Sequence, residues 1–217
     1  MHVLVSICFV ALPSLALANQ NAVSDRPLSV VGFGDSLMSG FELPVDESFT
    51  AQLEKALQDK GIDARVANAG VAGETTTDGL SRLDWSVPDG TDMVILEFGA
   101  NDALRGISPE ISEKNLSEII ERLKQRNVQV ILAGMLAPPN MGQDYEEKFN
   151  AIFPRLAAKY DVPLYPFFMD GVATERSLQL DDGMHPNAKG VARMVEGFMP
   201  IMEKTIAASS VASGAAQ

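Results

Sequence analysis

The sequence predicts a three-layer α/β/α sandwich built on a five-stranded parallel sheet. Short, continuous apolar runs recur along the chain, which is typical of strands buried on both faces of a parallel sheet. The stretches between these runs carry apolar residues at helical spacing, so strands and helices alternate. Such alternation implies right-handed crossovers, with helices covering both faces of the sheet.

Four strands are clear in the sequence, and a fifth is weaker. The first is Leu28–Phe33, an apolar run that ends at Gly-Asp-Ser. The second, third and fourth are Ala64–Ala67, Met93–Phe98 and Val128–Ala133, and the weaker fifth lies around Val162–Phe167. These runs have the length of ordinary strands and are too short for buried helices.

Helical spacing predicts four longer helices and a helix start at Ser36. One helix covers Phe49–Leu57, and the last runs from Pro186 to about Ile206. The other two precede the fourth and fifth strands. Their apolar positions are Ile111, Leu116, Ile119, Ile120 and Leu123 in one, and Tyr145, Phe149, Ile152, Phe153 and Leu156 in the other.

The N-terminus has the pattern of a secretory signal peptide. An apolar run from Val3 is closed by Ala16-Leu17-Ala18, which predicts cleavage near Ala18 and a periplasmic or secreted protein. The run is shorter than the roughly 20 residues that span a bilayer, so we expect no stable membrane anchor. No Lys or Arg precedes the run, which leaves the true translation start open.

The chain therefore divides into a signal peptide (1–18), a flexible N-terminal segment (19–26), one folded domain (27–206) and a disordered tail (207–217). The tail consists of small and polar residues with little to bury. The length between the two flexible ends suits a single domain with its own core. We expect this domain to be a monomer.

Composition excludes several kinds of function. The chain has 17 Lys and Arg against 29 Asp and Glu, with no basic cluster, so nucleic acid is not an expected partner. The only cysteine, Cys8, lies in the predicted signal peptide, so the mature chain offers no thiolate nucleophile. With a single remaining histidine, we expect neither a metal nor another cofactor.

Polar, glycine-rich loops follow the strands at the edge where ligands bind in open α/β sheets. Ser36 follows the first strand, Gly73 the second and Asn101 the third. Each has an ordinary structural explanation: Ser36 as a helix cap, Asn101 as a turn residue and Gly73 as a position that needs positive φ. None of the three is decisive alone.

His185 changes this assessment. It is the only histidine besides His2, and it stands three residues after Asp182 in a glycine-containing loop at the same edge. Asp182 can reach Nδ1 of His185, which leaves Nε2 to take the proton of Ser36. The pattern thus predicts a Ser-His-Asp triad, although Asp182 as a cap of the last helix remains the alternative.

An oxyanion hole would complete such a site. The donors would be the backbone N–H groups of Ser36 and Gly73 and the side-chain amide of Asn101. Other nucleophile systems fit less well, because the chain has no G-x-S-x-G elbow around Ser36, no S-x-x-K pair and no P-loop.

These blocks resemble the signature of the SGNH, or GDSL, hydrolase superfamily. The matching residues are Gly34-Asp35-Ser36-Leu37, Gly73, Gly99-x-Asn101-Asp102 and Asp182-x-x-His185, and the resemblance covers about residues 28–206. Within the superfamily, the sequence most closely resembles the TesA-type secreted esterases, which are known as arylesterases, acyl-CoA thioesterases and lysophospholipases. The resemblance implies a flavodoxin-like fold with strand order 2-1-3-4-5, the triad Ser36, Asp182 and His185, and acyl ester or thioester substrates.

An acyl pocket is expected from apolar residues in loops at the same edge, where methionine suits chains of several lengths. For any one of these residues taken alone, packing of its own loop is the better explanation. One alternative function is a carbohydrate acetylesterase of the same fold, and a second is a non-catalytic lipid-binding domain. The candidate pocket residues are Leu104, Ile107, Met135, Leu136, Pro138, Pro139 and Met141.

Overall fold

The computed structural model describes residues 26–215, with side chains to residue 209. Its centre is a parallel sheet of five strands in the order β2-β1-β3-β4-β5, which confirms the predicted fold class. The predicted signal peptide and the segment 19–25 lie outside the described residues. The strands are β1 (Leu28–Gly34), β2 (Ala64–Gly70), β3 (Met93–Glu97), β4 (Gln129–Ala133) and β5 (Leu164–Tyr165).

The central strands are apolar because helices cover both faces of the sheet. All residues of β3 are buried, as are the last five of β1. Strand β5 is shorter than predicted, because Pro163 and Pro166 flank it and proline cannot donate to a strand ladder. In the register of the sheet, Gly34 pairs with both Gly70 and Glu97, so three strands end together.

Eight α-helices accompany the strands in the described part of the chain. Helix α8 packs against α2 on one side of the sheet, and α5 packs against α3 and α7. No helix between residues 26 and 215 has the length and apolar character needed to cross a membrane. The helices are α1 (Ser36–Ser39), α2 (Phe49–Asp59), α3 (Thr76–Ser86), α4 (Ala100–Leu104), α5 (Pro109–Gln125), α6 (Gln143–Asn150), α7 (Ile152–Tyr160) and α8 (Ala188–Ala215).

Two helical predictions need correction. The apolar group around Phe149 belongs to two helices, α6 and α7, because Pro154 lies in the first turn of α7 and has no N–H for a continuous helix. Helix α8 continues past Ile206 to Ala215, into the segment predicted as a tail, so its predicted end is too early. This stretch is rich in alanine, the best helix former, and Ser209 Oγ donates to Gln129 Oε1 at 2.6 Å.

Candidate active site

The turn after β1 fixes the position of Ser36. Asp35 caps helix α1, since its Oδ1 accepts the N–H of Leu37 at 3.1 Å. The helix ends after one turn at Gly40, which has φ +76° and takes the left-handed conformation that favours glycine. Ser36 therefore stands half-buried at the first position of α1, directly above the end of the strand.

The loop before α8 brings His185 to this serine. His185 Nε2 lies 2.9 Å from Ser36 Oγ, and its Nδ1 lies 2.5 Å from Asp182 Oδ2. The loop is closed at its base by the hydrogen bond from Leu180 N–H to the carbonyl of His185 at 2.8 Å. The side chains predicted to form a triad thus lie in one hydrogen-bonded chain.

Asp182 is held in its ionised form. Burial alone would raise the pKa of Asp182, but hydrogen bonds from the His185 side chain and from the N–H groups of His185 and Met184 outweigh it and lower the pKa to about 2. A carboxylate that stays ionised near neutral pH can orient an imidazole and stabilise its cationic form.

An aromatic ring packs against the imidazole. The ring centroids of Phe41 and His185 are 4.5 Å apart, with an angle of 36° between the ring planes. Phe41 follows directly after Gly40, at the end of helix α1. The loop around His185 is otherwise largely exposed, so Phe41 is a main packing partner that holds the ring in place.

The predicted oxyanion donors also lie at this edge. Among the residues that the structure describes, the N–H groups of Ser36 and Gly73 donate to no protein acceptor. Gly73 has φ +82°, and its carbonyl accepts a hydrogen bond from Arg105 Nη2 at 2.5 Å. Asn101 Nδ2 donates to Asp35 Oδ2 at 3.1 Å, which leaves its second hydrogen available.

Two carboxyl groups are buried beneath the turn that carries Ser36. Burial raises the pKa of Asp35 to about 6, despite its hydrogen bonds with Leu37 and Asn101. Burial, and then the neighbouring Asp35, raise the pKa of Glu97 well above its usual range. Glu97 Oε2 accepts the N–H of Asp35 at 3.2 Å, so the two side chains support the turn as a unit.

A third buried acid connects the loop of Asn101 to helix α3. The carboxylate of Asp102 accepts the N–H of Thr76 at 2.9 Å, its hydroxyl at 2.6 Å, and the hydroxyl of Ser112 at 2.8 Å. Because these donors saturate the buried carboxylate, the start of α3 and the helix α4 are fixed relative to each other.

The predicted acyl-pocket residues divide into two groups. Leu104 and Leu136 expose 52% and 45% of their surface, and Ile107, Pro138 and Met141 are half-buried, while Pro139 is exposed. Met135 is different: only 4% exposed, it packs in the core and offers little surface to a ligand. Two further exposed apolar residues of the same edge, Val71 and Met184, were not in the prediction.

The sequence analysis did not identify two buried charged residues near the site, Glu97 and Arg82. Glu97 interrupts the apolar run MVILEF of β3, and a charge inside such a run is a signal for a buried, partnered group. Arg82 lies on the buried face of α3 with Thr76 and Gly79 at a spacing of three residues, which is a second available signal. Both point at the edge that carries Ser36.

Comparison with known proteins identifies related enzymes. The chain is 38% identical over 167 residues to an arylesterase of Vibrio mimicus, covering 76% of this chain and 84% of that protein. It is also 38% identical over 155 residues to the thioesterase 1/protease 1/lysophospholipase L1 of Escherichia coli K12, covering 71% and 73% of the two chains.

Solved structures show the same relationship. AlinE4, an SGNH-hydrolase family esterase, is 43% identical with a TM-score of 0.71, over 83% of this chain and 97% of that one. The crystal structure of TesA is 33% identical with a TM-score of 0.76, over 82% and 99% of the chains. The model of the GDSL-like lipase/acylhydrolase family matches residues 33–193, well over half of the sequence, and the chain belongs to this family.

Proposed function

We propose that the protein hydrolyses carboxylic esters and thioesters of acyl chains through an acyl-Ser36 intermediate. Its family and its named relatives make it an ester-hydrolysing enzyme. The observation that carries the proposed mechanism is the pair of hydrogen bonds that joins Ser36 to His185 and His185 to Asp182. No other described serine hydroxyl has an imidazole within hydrogen-bond distance.

In the first half-reaction, Ser36 Oγ attacks the acyl carbon while its proton passes to His185 Nε2. The tetrahedral intermediate then collapses, and the bond to the alcohol or thiol breaks. His185 returns the proton to that leaving group, so the acyl group ends on Ser36. Asp182 keeps Nδ1 protonated and stabilises the imidazolium between these steps.

Negative charge on the carbonyl oxygen is balanced by the unpaired donors at the sheet edge. The N–H groups of Ser36 and Gly73 and the second hydrogen of Asn101 Nδ2 form the proposed oxyanion hole. Removal of one such donor costs roughly 10²–10³ in rate in comparable enzymes. In the second half-reaction, His185 activates a water that hydrolyses the acyl-enzyme and releases the acid.

The acyl chain is proposed to lie against the exposed apolar side chains of Leu104 and Leu136. Two loops meet here, since a Cβ placed on Gly106 would lie 3.5 Å from Met141 Cε. A carbohydrate acetylesterase would instead require aromatic platforms for a sugar. The single tryptophan, Trp85, lies near the C-terminus of α3, whereas the N-terminus of that helix meets the loop of Asn101, so Trp85 supplies no such platform at this site.

The test is hydrolysis of p-nitrophenyl esters from acetate to palmitate, together with an acyl-CoA series, by the wild type and the Ser36→Ala variant. We expect Ser36-dependent turnover with an optimum at medium or long chains, and activity on both ester and thioester. An optimum at acetate would move the assignment to an acetylesterase, and undiminished turnover by Ser36→Ala would refute the mechanism.

A second assay identifies the nucleophile directly. A fluorophosphonate should add one phosphonyl group to the wild type, with loss of fluoride, and peptide mapping by mass spectrometry should place it on Ser36. His185→Ala should react far more slowly, because its serine has no base. Labelling at another residue would contradict the proposed role of Ser36.

Export is a further part of the proposal and depends on the apolar N-terminal segment ending at Ala18. N-terminal sequencing of the protein from a Gram-negative host, after separation of periplasm and cytoplasm, tests it. A mature N-terminus near Asn19 in the periplasmic fraction supports export, whereas an intact Met1 in the cytoplasmic fraction contradicts it.

A further inference from the structure

We propose that Arg82 is a positioning residue that sets the Gly73 loop against the Ser36 turn, so that the oxyanion donors converge. This inference deepens the proposed function and rests on it. Arg82 lies on α3 and touches none of the reacting groups itself.

The guanidinium of Arg82 is held on three sides. Nη2 donates to the carbonyl of Gly34 at 3.0 Å, Nε to Glu74 Oε2 at 2.5 Å, and Nη1 to Ser86 Oγ at 2.9 Å. Its plane is also supported by an aromatic ring, since Cζ lies 4.5 Å from the ring centroid of Phe33. Only one arrangement of the planar fork satisfies all of these contacts.

Two of these bonds lead directly to the catalytic loops. Gly34 is the last residue of β1, two positions before Ser36, and Glu74 immediately follows Gly73. The carbonyl of Gly34 also accepts the N–H of Val71 at 3.0 Å, so the strand end is the point where both loops meet. The third bond, to Ser86, points along α3 and away from the site.

Burial makes this connection rigid. Arg82 exposes 4% of its surface, and the side chain of Glu74 exposes 19%. A buried arginine is stable only if its donors are satisfied, so any displacement of the Gly73 loop from the end of β1 leaves a charged donor unpaired. The ion pair therefore resists the loop movement that would separate the Gly73 N–H from the Ser36 N–H.

The alternative is an ion pair that only stabilises the fold. The two roles make different predictions for the activity of variants that remain fully folded. A positioning role lowers kcat and the rate of phosphonylation and leaves KM nearly unchanged. In both reactions the oxyanion donors stabilise an oxygen that gains negative charge, on a tetrahedral carbon in ester hydrolysis and on a five-coordinate phosphorus in phosphonylation. A purely stabilising role lowers the midpoint of thermal unfolding and changes neither rate in the folded protein.

The experiment compares Arg82→Lys with Ser86→Ala in the full chain, using steady-state hydrolysis of p-nitrophenyl acetate, fluorophosphonate labelling and thermal unfolding. Lysine keeps the positive charge but cannot hold Gly34 and Glu74 together with fixed geometry. We expect kcat and the labelling rate of Arg82→Lys to fall roughly 10–100-fold, since a misplaced oxyanion donor costs up to about 10²-fold. Ser86→Ala should keep both rates within about twofold.

Glu74→Gln is the second variant, because it preserves shape and one acceptor and should fold even if Arg82→Lys does not. Its kcat should fall several-fold, and the loss should not add to that of Arg82→Lys in the double variant, since both act through one contact. Normal kcat and labelling rate in folded Arg82→Lys or Glu74→Gln would overturn the inference. Ser36→Ala, run in parallel, tests the proposed function separately: if it abolishes turnover while Arg82→Lys does not, only the positioning role fails.

Discussion

Replacement of Gly70 by alanine should move Ser36, the proposed nucleophile, without changing Ser36, Asp182 or His185 themselves. Gly70 is the last residue of β2 and lies under helix α1. A Cβ at this position would lie 2.3 Å from the backbone nitrogen of Ser39, 2.7 Å from its Cα and 2.9 Å from the carbonyl oxygen of Asp35. All three are backbone atoms, which cannot turn aside as a side chain can.

The size of the displacement follows from these distances. Ordinary contact begins at 3.4 Å, so α1 and β2 must separate by about 1 Å. The hydrogen bond of 2.9 Å between Ser36 Oγ and His185 Nε2 cannot survive a shift of this size along its axis. A misplacement of 1 Å costs on the order of 10²-fold in rate, and the overpacking about 1–3 kcal/mol of stability.

The assay is kcat for p-nitrophenyl acetate, a substrate too short to depend on the acyl pocket, alongside urea unfolding. Gly90→Ala is the matched control: Gly90 has φ +86° with nothing within 4 Å of the added Cβ, in the turn that precedes β3. It should lose about 1 kcal/mol from backbone strain and keep its kcat. A folded Gly70→Ala with wild-type kcat would refute the reasoning.

Three further predictions concern the same site. Burial raises the pKa of Asp35 from 3.8 to about 6, so the folded form binds the proton more tightly than the unfolded chain does. Its contribution to the free energy of unfolding should therefore fall by ~3 kcal/mol in total as pH rises from about 3 to 7, and urea unfolding of Asp35→Asn should lack this fall. Asp182 acts in the opposite sense, because its pKa is lowered to about 2 and its ionised form stabilises the fold above pH 4. After allowance for its partial exposure, about 1 kcal/mol of the free energy of unfolding should be lost as pH falls from 4 to 2. Asp182→Asn should show no such loss. Phe41→Ala should lower kcat two- to tenfold, because a ring contact worth ~0.5–1.5 kcal/mol holds His185. Phe41→Tyr keeps an aromatic ring at this position and should keep the wild-type kcat. A normal kcat in Phe41→Ala would show that the loop alone fixes the imidazole.

The fold was largely predictable because its strands are continuous apolar runs that periodicity detects. The central strands begin and end within a residue or two of their predicted limits, whereas β5 is cut short by prolines on both sides. Helix α3 escaped prediction because its buried face includes Thr76, Gly79 and Arg82, which do not register as apolar. The C-terminal extension of α8 was missed because the short side chains of the tail suggested nothing to bury, although alanine favours the helix.

The candidate site was predictable to a different degree. A lone histidine at a fixed distance from an aspartate is a local pattern, and the bonds among Ser36, Asp182 and His185 agree with it. The supporting groups depend on long-range contacts: Glu97 meets Asp35 from 62 positions away, and Arg82 meets Gly34 from 48. Sequence spacing carries no information about such pairs until the sheet order is known.

The short length of β5 affects the tendency of the protein to aggregate. An open sheet exposes unpaired backbone groups at each border, and a long, flat border can recruit a strand from another molecule. Here one border offers only Leu164 and Tyr165 between two prolines, and the other, β2, places the charged Arg65 on its exposed positions. Neither border is a good template for intermolecular pairing, which should favour recovery of this enzyme from concentrated refolding mixtures without fibril formation.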